Sequence, residues 1–462
     1  MDRNLYSVNA VGPITDAELI ASRLSAGRGA SIPCLSLVEQ GAPTRVGARD
    51  ASILRGQTPD SLLRFDLQCE IRWADAAYEV FVRAGSRIGT GRFVFGNDAL
   101  DLVIEPKIGN ANFFRMLEVC YGGLATSNDP GRAFRVDSPP AGLLIEYTVG
   151  RIEAFLKTQL FRGYSLKYEP EARHPKGHFD VGRFVTRNLP RLRLDVLSCS
   201  FFEFSQNVLE NQILARTLLV AGRVAAYLPS EIRYRIANTI AAAKRFLPSV
   251  DAPHIDPEDL NRVLYTNRNK GFQPVHELCA LLLSNASVSL SPGRRISFMS
   301  FSLAMDLLFE RFVYRLFAMA IAPQTVIPKA RLKFVIHGIG KDVELDGLIR
   351  NDRTTVVECK YKLIESGEAL DFDEGRMRNA DIFQCIAYAT HTDVNADDVF
   401  LVYPSADADG PPVRVATTIR SFQRRNGAII PVKVLLVSLA RPTIEVEEAL
   451  RSVVSSPANA SA

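Results

Sequence analysis

The stretch VELDGLIRNDRTTVVECKYK, residues 343–362, carries three charges in a strand-like setting: Asp346, Glu358 and Lys360. It reads as two strands joined by a turn at RNDRT. Side chains alternate across a strand, so Glu358 and Lys360 share one face while Val357, Cys359 and Tyr361 share the other. Antiparallel pairing of the two strands brings Asp346 beside Glu358. Two carboxylates held together can bind a hard divalent cation such as Mg²⁺ through oxygen. Such an ion polarises a phosphate oxygen and activates a water, and a neighbouring ammonium stabilises the charge that builds up on phosphorus. The stretch therefore has the parts of a phosphodiester-hydrolysis site. A charged, solvent-exposed hairpin is the plainer alternative.

Glu-x-Lys downstream of an Asp is weakly specific and arises about once by chance in a chain this long. Glu105-Pro106-Lys107, with Asp98 and Asp101 upstream, is a second copy in the same sequence. The surroundings separate them. The β-branched run TTVV before Glu358 suggests a central strand, where a buried charge is costly unless paired or metal-bound. Pro106 removes a ladder donor and suggests a strand end.

Outward from the stretch, residues 291–445 follow an α-β-β-β-α-β order: a mixed α/β unit on one sheet. The first helix, FSLAMDLLFERFVYRLFAMAI, carries Glu310 among apolar neighbours as a candidate metal or lysine partner. Strands follow at ARLKFVIHG, KDVELDGLIR and TTVVECKYK. The helix in GRMRNADIFQCIAYATHT carries Gln384 and Tyr388 four apart, hence on one face. DVFLVYP, VRVATTI and VKVLLVSLA are further strands. Residues 1–142 read as a β-rich α+β domain, with a helix through ANFFRMLEVCYGGL closed by the glycine pair. Residues 143–290 read as mainly helical around an irregular segment, KYEPEARHPKGHFDVGRFVTRNLPR. Residues 446–462 read as a tail.

Asp346, Glu358-x-Lys360 and Gln384-x-x-x-Tyr388 in that order resemble the PD-(D/E)xK nuclease superfamily, in the branch with a Q-x-x-x-Y helix. LFERFV, DIFQCIAYA and VFLVYPS, with RIGTGRFVF…LVIEPKIGNANFFRMLEVCYG and LFRGYSLKYEPEARHPKGHFD upstream, are together similar to the McrC family. The likeness runs over roughly residues 80–405. It implies a C-terminal α/β nuclease domain whose mixed sheet is flanked by helices, with Asp346, Glu358 and Lys360 catalytic. Asp346 and Glu358 would be the metal ligands, and Glu310, Gln384 and Tyr388 would support them. Two departures stand out: the second acid is Glu358 where Asp is frequent, and Phe383 stands where Tyr is common. IEPKIG becomes a feature of the N-terminal domain and not a second active site.

The resemblance also implies Mg²⁺ as cofactor, DNA as substrate and an AAA+ GTPase hexamer of the McrB type as partner, with dimerisation of the assembled complexes left open. Residues 1 to about 290 would form the partner-binding module. The chain lacks G-x-x-x-x-G-K-[ST], and GIGKD at 338–342 has neither the spacing nor the hydroxyl of a phosphate cradle. Nucleotide hydrolysis is thus expected of the partner. Arg162, Lys176, Arg183 and Arg187 are candidates for a cation acting in trans, with a solvated basic loop as the simpler account. Asn207 and Asn211 share a helix face and suit a polar contact to a partner or an internal hydrogen-bond network. His337 reads as a turn residue. A non-cleaving assembly subunit and a free-standing repair nuclease remain alternatives.

Composition agrees with this outline without deciding it. The chain has 462 residues, 47% apolar, and a net charge of +4, too mild to argue for nucleic-acid binding by itself. Seven scattered cysteines without C-x-x-C suit reduced thiols in a cytoplasm. His174 and His178 are separated by Pro and Gly, which spoils a helical zinc pair. No secretory leader or membrane-length apolar run is visible.

Overall fold

The computed structural model describes residues 34–55, 57, 62–74, 77–95, 98–122, 138–290, 297–321, 323–336, 339–363, 379–420, 422 and 429–455. His337 and part of GIGKD lie outside the described residues, as do residues 1–33. Where the sequence suggests three consecutive regions, packing groups the chain into two compact units. One combines Met1–Pro140 with Ser302–Ala462, and the other is Ala141–Phe301.

The N-terminal segment contains β1 Cys34–Val38, β2 Thr44–Val46, α1 Ala48–Arg55, β3 Leu67–Ala74, β4 Ala77–Ala84, β5 Arg87–Phe95, β6 Asp98–Glu105 and α2 Asn110–Tyr121. β5 and β6 form an antiparallel hairpin, and β1 runs parallel to β6. Alternation explains β6: Leu100, Leu102 and Ile104 are fully buried, while Asp101 points away and grips Arg92 of β5 through two bonds of 2.5 and 2.7 Å. α2 buries Phe113, Met116, Leu117, Cys120 and Tyr121, a stripe of helical period. It ends at Gly122, as the glycine pair suggests.

The middle unit holds α3 Pro140–Thr158, β7 Gly163–Ala172, β8 His178–Phe179, β9 Leu197–Ser205, α4 Leu209–Ala225, α5 Ser230–Lys244, α6 Gln273–Asn285, β10 Ala286–Leu290 and β11 Ser297–Ala304. Helices make up most of the regular structure here, with a small sheet that the sequence reading did not expect. The segment read as irregular contributes the end of β7 and the short β8 to a three-stranded antiparallel sheet, β7-β9-β8, and then runs through short helical turns from Val181 to Arg191. Tyr164, Leu166 and Tyr168 of β7 share a face with Phe202 and Phe204 of β9, and all five are exposed.

The last segment holds α7 Met305–Ala320, β12 Val326–Pro328, β13 Arg331–Ile336, β14 Ile339–Glu344, β15 Gly347–Arg350, β16 Thr354–Cys359, α8 Asn379–Ala389, β17 Asp398–Ser405, β18 Val413–Ile419, β19 Val432–Ser438 and α9 Thr443–Ser455. Its main sheet has the order β12-β15-β16-β17-β19-β18. The central strands β16, β17 and β19 are parallel and buried along nearly their whole length. Strands covered on both faces read as continuous apolar runs. Phe400 faces α7, where its ring stacks on Phe317 at 6.0 Å. Val399, Leu401 and Tyr403 face the other way, into a core with Val356, Cys385 and Ala389.

Three boundaries differ from the sequence reading. KDVELDGLIR, expected as one strand, is broken at Leu345-Asp346 into β14 and β15. Leu345 N–H bonds the Ala330 carbonyl at 2.8 Å and Lys329 N–H bonds the Asp346 carbonyl at 3.3 Å, which fix the break. The helix expected from Phe301 begins only at Met305, because β11 runs to Ala304. The tail expected from residue 446 is mostly helix: α9 extends to Ser455 and buries Val446 and Leu450.

Candidate active site

β15 and β16 pair antiparallel with Gly347 opposite Val357. One step further along this register sets Asp346 against Glu358, at the mouth of the β14–β15 break. The Asp346 carboxylate accepts a hydrogen bond from the Cys359 N–H at 2.8 Å. Glu358 is only 2% exposed. Its Oε1 accepts from Lys360 Nζ at 2.7 Å. Its Oε2 is buried without a hydrogen-bond partner. An orphaned buried carboxylate oxygen costs several kcal/mol on the usual scale, about 1–3 even after partial compensation.

Lys360 is held from three sides. Its backbone N–H extends the ladder to the Val402 carbonyl at 2.9 Å. Its ammonium bonds Glu358 and, at 3.1 Å, Gln384 Oε1. The Gln384 amide in turn donates to the Tyr388 hydroxyl at 2.8 Å. The four-residue spacing on α8 thus builds a relay from Tyr388 through Gln384 to Lys360. Phe383, in the place where a Tyr is common, is 66% exposed and outside that relay.

Glu310 on α7 turns toward the site but pairs with Lys329, at 3.1 Å, and not with Lys360. Lys329 also meets Glu344 at 3.3 Å. It stands at φ 51°, in the left-handed region that an L-residue adopts only at a cost. Nothing in its sequence neighbourhood announces it. Asp381, in the first turn of α8, accepts from Lys362 at 2.5 Å and from Tyr403 at 3.3 Å. It lies three residues before Gln384, so the face shared by Gln384 and Tyr388 contains the signal that could have found it.

The electrostatics point one way. Burial first, then the Glu358 charge, pushes Asp346 up to about 6. Burial also raises Glu358, against the pull of Lys360. Glu310 is raised by burial and then by Asp346. Burial pulls Lys360 down, but Glu358 and Asp346 more than offset it and hold it above the ordinary lysine value. Five carboxylates, Glu310, Glu344, Asp346, Glu358 and Asp381, meet four cationic groups, Lys329, Arg331, Lys360 and Lys362.

Among the described residues, no three His, Cys, Asp or Glu side chains form a complete metal cage. Asp346 and Glu358 nevertheless fit a Mg²⁺ ion, which commonly takes one or two carboxylates and completes its shell with water and phosphate oxygens. The orphaned Glu358 Oε2 and the raised Asp346 supply two oxygens that such an ion would satisfy.

Other expected residues do not converge here. Asn207 bonds Asp251 at 2.6 Å and Gln212 at 2.8 Å, while Asn211 bonds the Phe161 and Gln206 carbonyls. They form an internal network of the middle unit. Lys176 lies by Glu169, and Arg183 lies over the Tyr168 ring at 4.8 Å. No described helix is long and apolar enough to cross a membrane.

Residues 82–404 match the family model described as McrBC 5-methylcytosine restriction system component. The chain is similar to a solved half-complex from a tetradecameric assembly of Thermococcus gammatolerans McrB AAA+ hexamers with bound McrC. The similarity has 17% identity and a TM-score of 0.50, and covers 91% of this chain and 100% of that one. The cryo-EM structure of the Thermococcus gammatolerans McrBC complex shares 20% identity over 63% of this chain and 88% of that one, with a TM-score of 0.37. At 17% identity the first likeness speaks for the fold alone. No curated protein matches the chain.

Proposed function

The chain belongs to the family of McrBC 5-methylcytosine restriction system components, and on that premise we propose that it is the DNA-cutting subunit of such a system. It hydrolyses phosphodiester bonds with Mg²⁺ while docked on an AAA+ GTPase ring. The observation that carries this reading is the pair formed by Asp346 and the orphaned Glu358 oxygen, beside an ammonium aimed by a Tyr388–Gln384 relay. A merely exposed hairpin has no reason to bury Glu358.

Asp346 and Glu358 would hold the ion. When bound, Mg²⁺ supplies Lewis acidity toward the scissile phosphate and an activated water. Lys360 keeps its proton, stabilises the charge that develops on the phosphorane oxygens and orients the attacking water. Gln384 accepts from the ammonium and sets its direction, and Tyr388 fixes which way round the Gln384 amide lies. Lys329, bridging Glu310 and Glu344, stands ready to exchange a carboxylate for a DNA phosphate.

Docking belongs to the middle unit in this reading. The exposed face of Tyr164, Leu166, Phe202 and Phe204 is the kind of apolar patch that a partner covers. The half-complex with McrC bound to McrB hexamers is the precedent for such a partner. The setting is cytoplasmic, in line with free cysteines at all seven positions.

The test is a cleavage assay with the cognate ring, GTP, Mg²⁺ and DNA with and without modified cytosine. Asp346→Ala, Glu358→Ala and Lys360→Ala are expected to abolish cutting and to leave GTPase stimulation intact. Cutting by all three variants at the wild-type rate overturns the assignment. A wild type that stimulates the ring but never cuts is a non-enzymatic assembly subunit, and one that cuts without the ring is a free-standing nuclease.

A further inference from the structure

Lys107, from the second Glu-x-Lys copy, reaches the catalytic strand. Its ammonium donates to the carbonyl of Tyr361 at 2.8 Å and to Gln40 Oε1 at 2.7 Å, and it lies 4.0 Å over the Tyr361 ring. Tyr361 directly follows Lys360 and points to the opposite face of the strand. Its hydroxyl donates to Glu39 Oε2 at 3.3 Å, and its ring packs against Phe309 at 5.8 Å, the neighbour of Glu310. Glu39 is 1% exposed, and its second oxygen has no partner. Gln40 is held at φ 52° by bonds from its N–H to the Ala84 and Gly85 carbonyls.

Two costs are thus concentrated at one spot: a buried carboxylate only half satisfied, and a non-glycine residue in the left-handed region. Neither contributes packing that an apolar residue could not supply better. Both are explained if the spot has to hold something in place. β1 and β6 run parallel and deliver Glu39, Gln40 and Lys107 to the same end of their sheet. There they enclose the back of the strand whose front carries Glu358 and Lys360.

We propose that Lys107, Glu39 and Gln40 form a clamp on Tyr361 that positions the catalytic strand, so that the N-terminal sheet sets the geometry of Lys360 and of the metal-binding carboxylates. The three are positioning residues, since none reaches the reacting atoms. This inference rests on the nuclease reading above and deepens it. A partner that shifts the β1–β6 sheet would act on cleavage through this clamp and through no change at the carboxylates themselves.

The test uses the full chain with its ring, GTP and Mg²⁺. Lys107→Met keeps the stem and removes both hydrogen bonds. It is expected to lower kcat about 10–100-fold, the range typical of lost outer-shell support. KM for DNA and GTPase stimulation should stay unchanged, and the Mg²⁺ concentration for half-maximal cutting should rise several-fold, as should that for the Mg²⁺-induced rise in Tm. Lys107→Arg, which retains donors for the Tyr361 carbonyl, should restore most of the rate. Gln40→Ala and Tyr361→Phe remove one bond each without touching the packing, and serve if Lys107→Met fails to fold. Each should cost about 10-fold, the lower end of that range. Wild-type kcat and Mg²⁺ requirement in the folded variants overturn the clamp. A wild type that neither cuts nor responds to Mg²⁺ overturns the nuclease reading instead.

Discussion

Asp346→Asn should make the metal-free protein more stable at pH 8. Asp346 is raised from 3.8 to about 6 by burial and by Glu358. The folded state therefore binds this proton more tightly than the unfolded chain. Stability is lost as pH rises between those two values and stays lost above them. A shift of a little over two units corresponds to about 3 kcal/mol at pH 8. Asn keeps an acceptor for the Cys359 N–H, so that bond need not be sacrificed. The net gain expected is on the order of 2 kcal/mol, or about 5 °C in Tm for a unit of this size. The assay is thermal unfolding in chelator at pH 8 and pH 4, then at pH 8 with Mg²⁺. The variant should melt higher at pH 8, and the gap should close at pH 4. Mg²⁺ should raise the wild type and leave the variant nearly unmoved. A variant that melts lower at pH 8, or a gap independent of pH, refutes the argument that the carboxylates are held apart from their natural partner. Equal Mg²⁺ responses refute Asp346 as a ligand.

Other consequences follow from the same geometry. Cleavage at limiting Mg²⁺ should fall as pH drops through about 6, because protons compete for Asp346; a profile flat from pH 8 to pH 5 would contradict this. Gln384→Ala should cost about 10–100-fold in kcat by releasing Lys360, with Gln384→Glu no substitute because it adds a fourth acid beside Glu358, and single-turnover cleavage reads the difference. Arg353→Ala should cost about 3 kcal/mol in a denaturation experiment, because it strands Asp398, whose side chain is 5% exposed and bonded to Arg353 at 2.9 Å. Lys329→Met should leave Mg²⁺ binding intact and weaken cutting, visible as a smaller salt dependence of DNA affinity.

The site was legible where chemistry and period coincide. β16 needed only the rule of alternation to put Glu358 and Lys360 on one face, and α8 only its 3.6-residue turn to align Gln384 with Tyr388. Both are short-range relations. Lys329 was not legible, because its place depends on a break between strands that forms only when Ala330 and Leu345 pair across it. Nor was the contact between Lys107 and Tyr361, whose partners are 254 residues apart in the chain. The middle sheet escaped for a different reason. β7 and β9 turn their apolar side chains outward, so their pattern answers to a surface outside the chain's own core. α9 escaped because its buried face consists of Val446 and Leu450, too few apolar positions to establish a period against three acids and a preceding Pro.

The unit that carries the site is made from the two ends of the described chain, with Ala141–Phe301 between them. This has a consequence in time. Glu39 and Lys107 leave the ribosome first, and the strand they clamp follows more than two hundred residues later. At usual rates of synthesis the intervening residues alone take on the order of 10–30 s. During that interval the apolar stripe of α2 has no α7 to lie against. Asp346 and Glu358 cannot be assembled until β17 has emerged to flank β16. The candidate site is therefore complete only after Ala141–Phe301 has already been made.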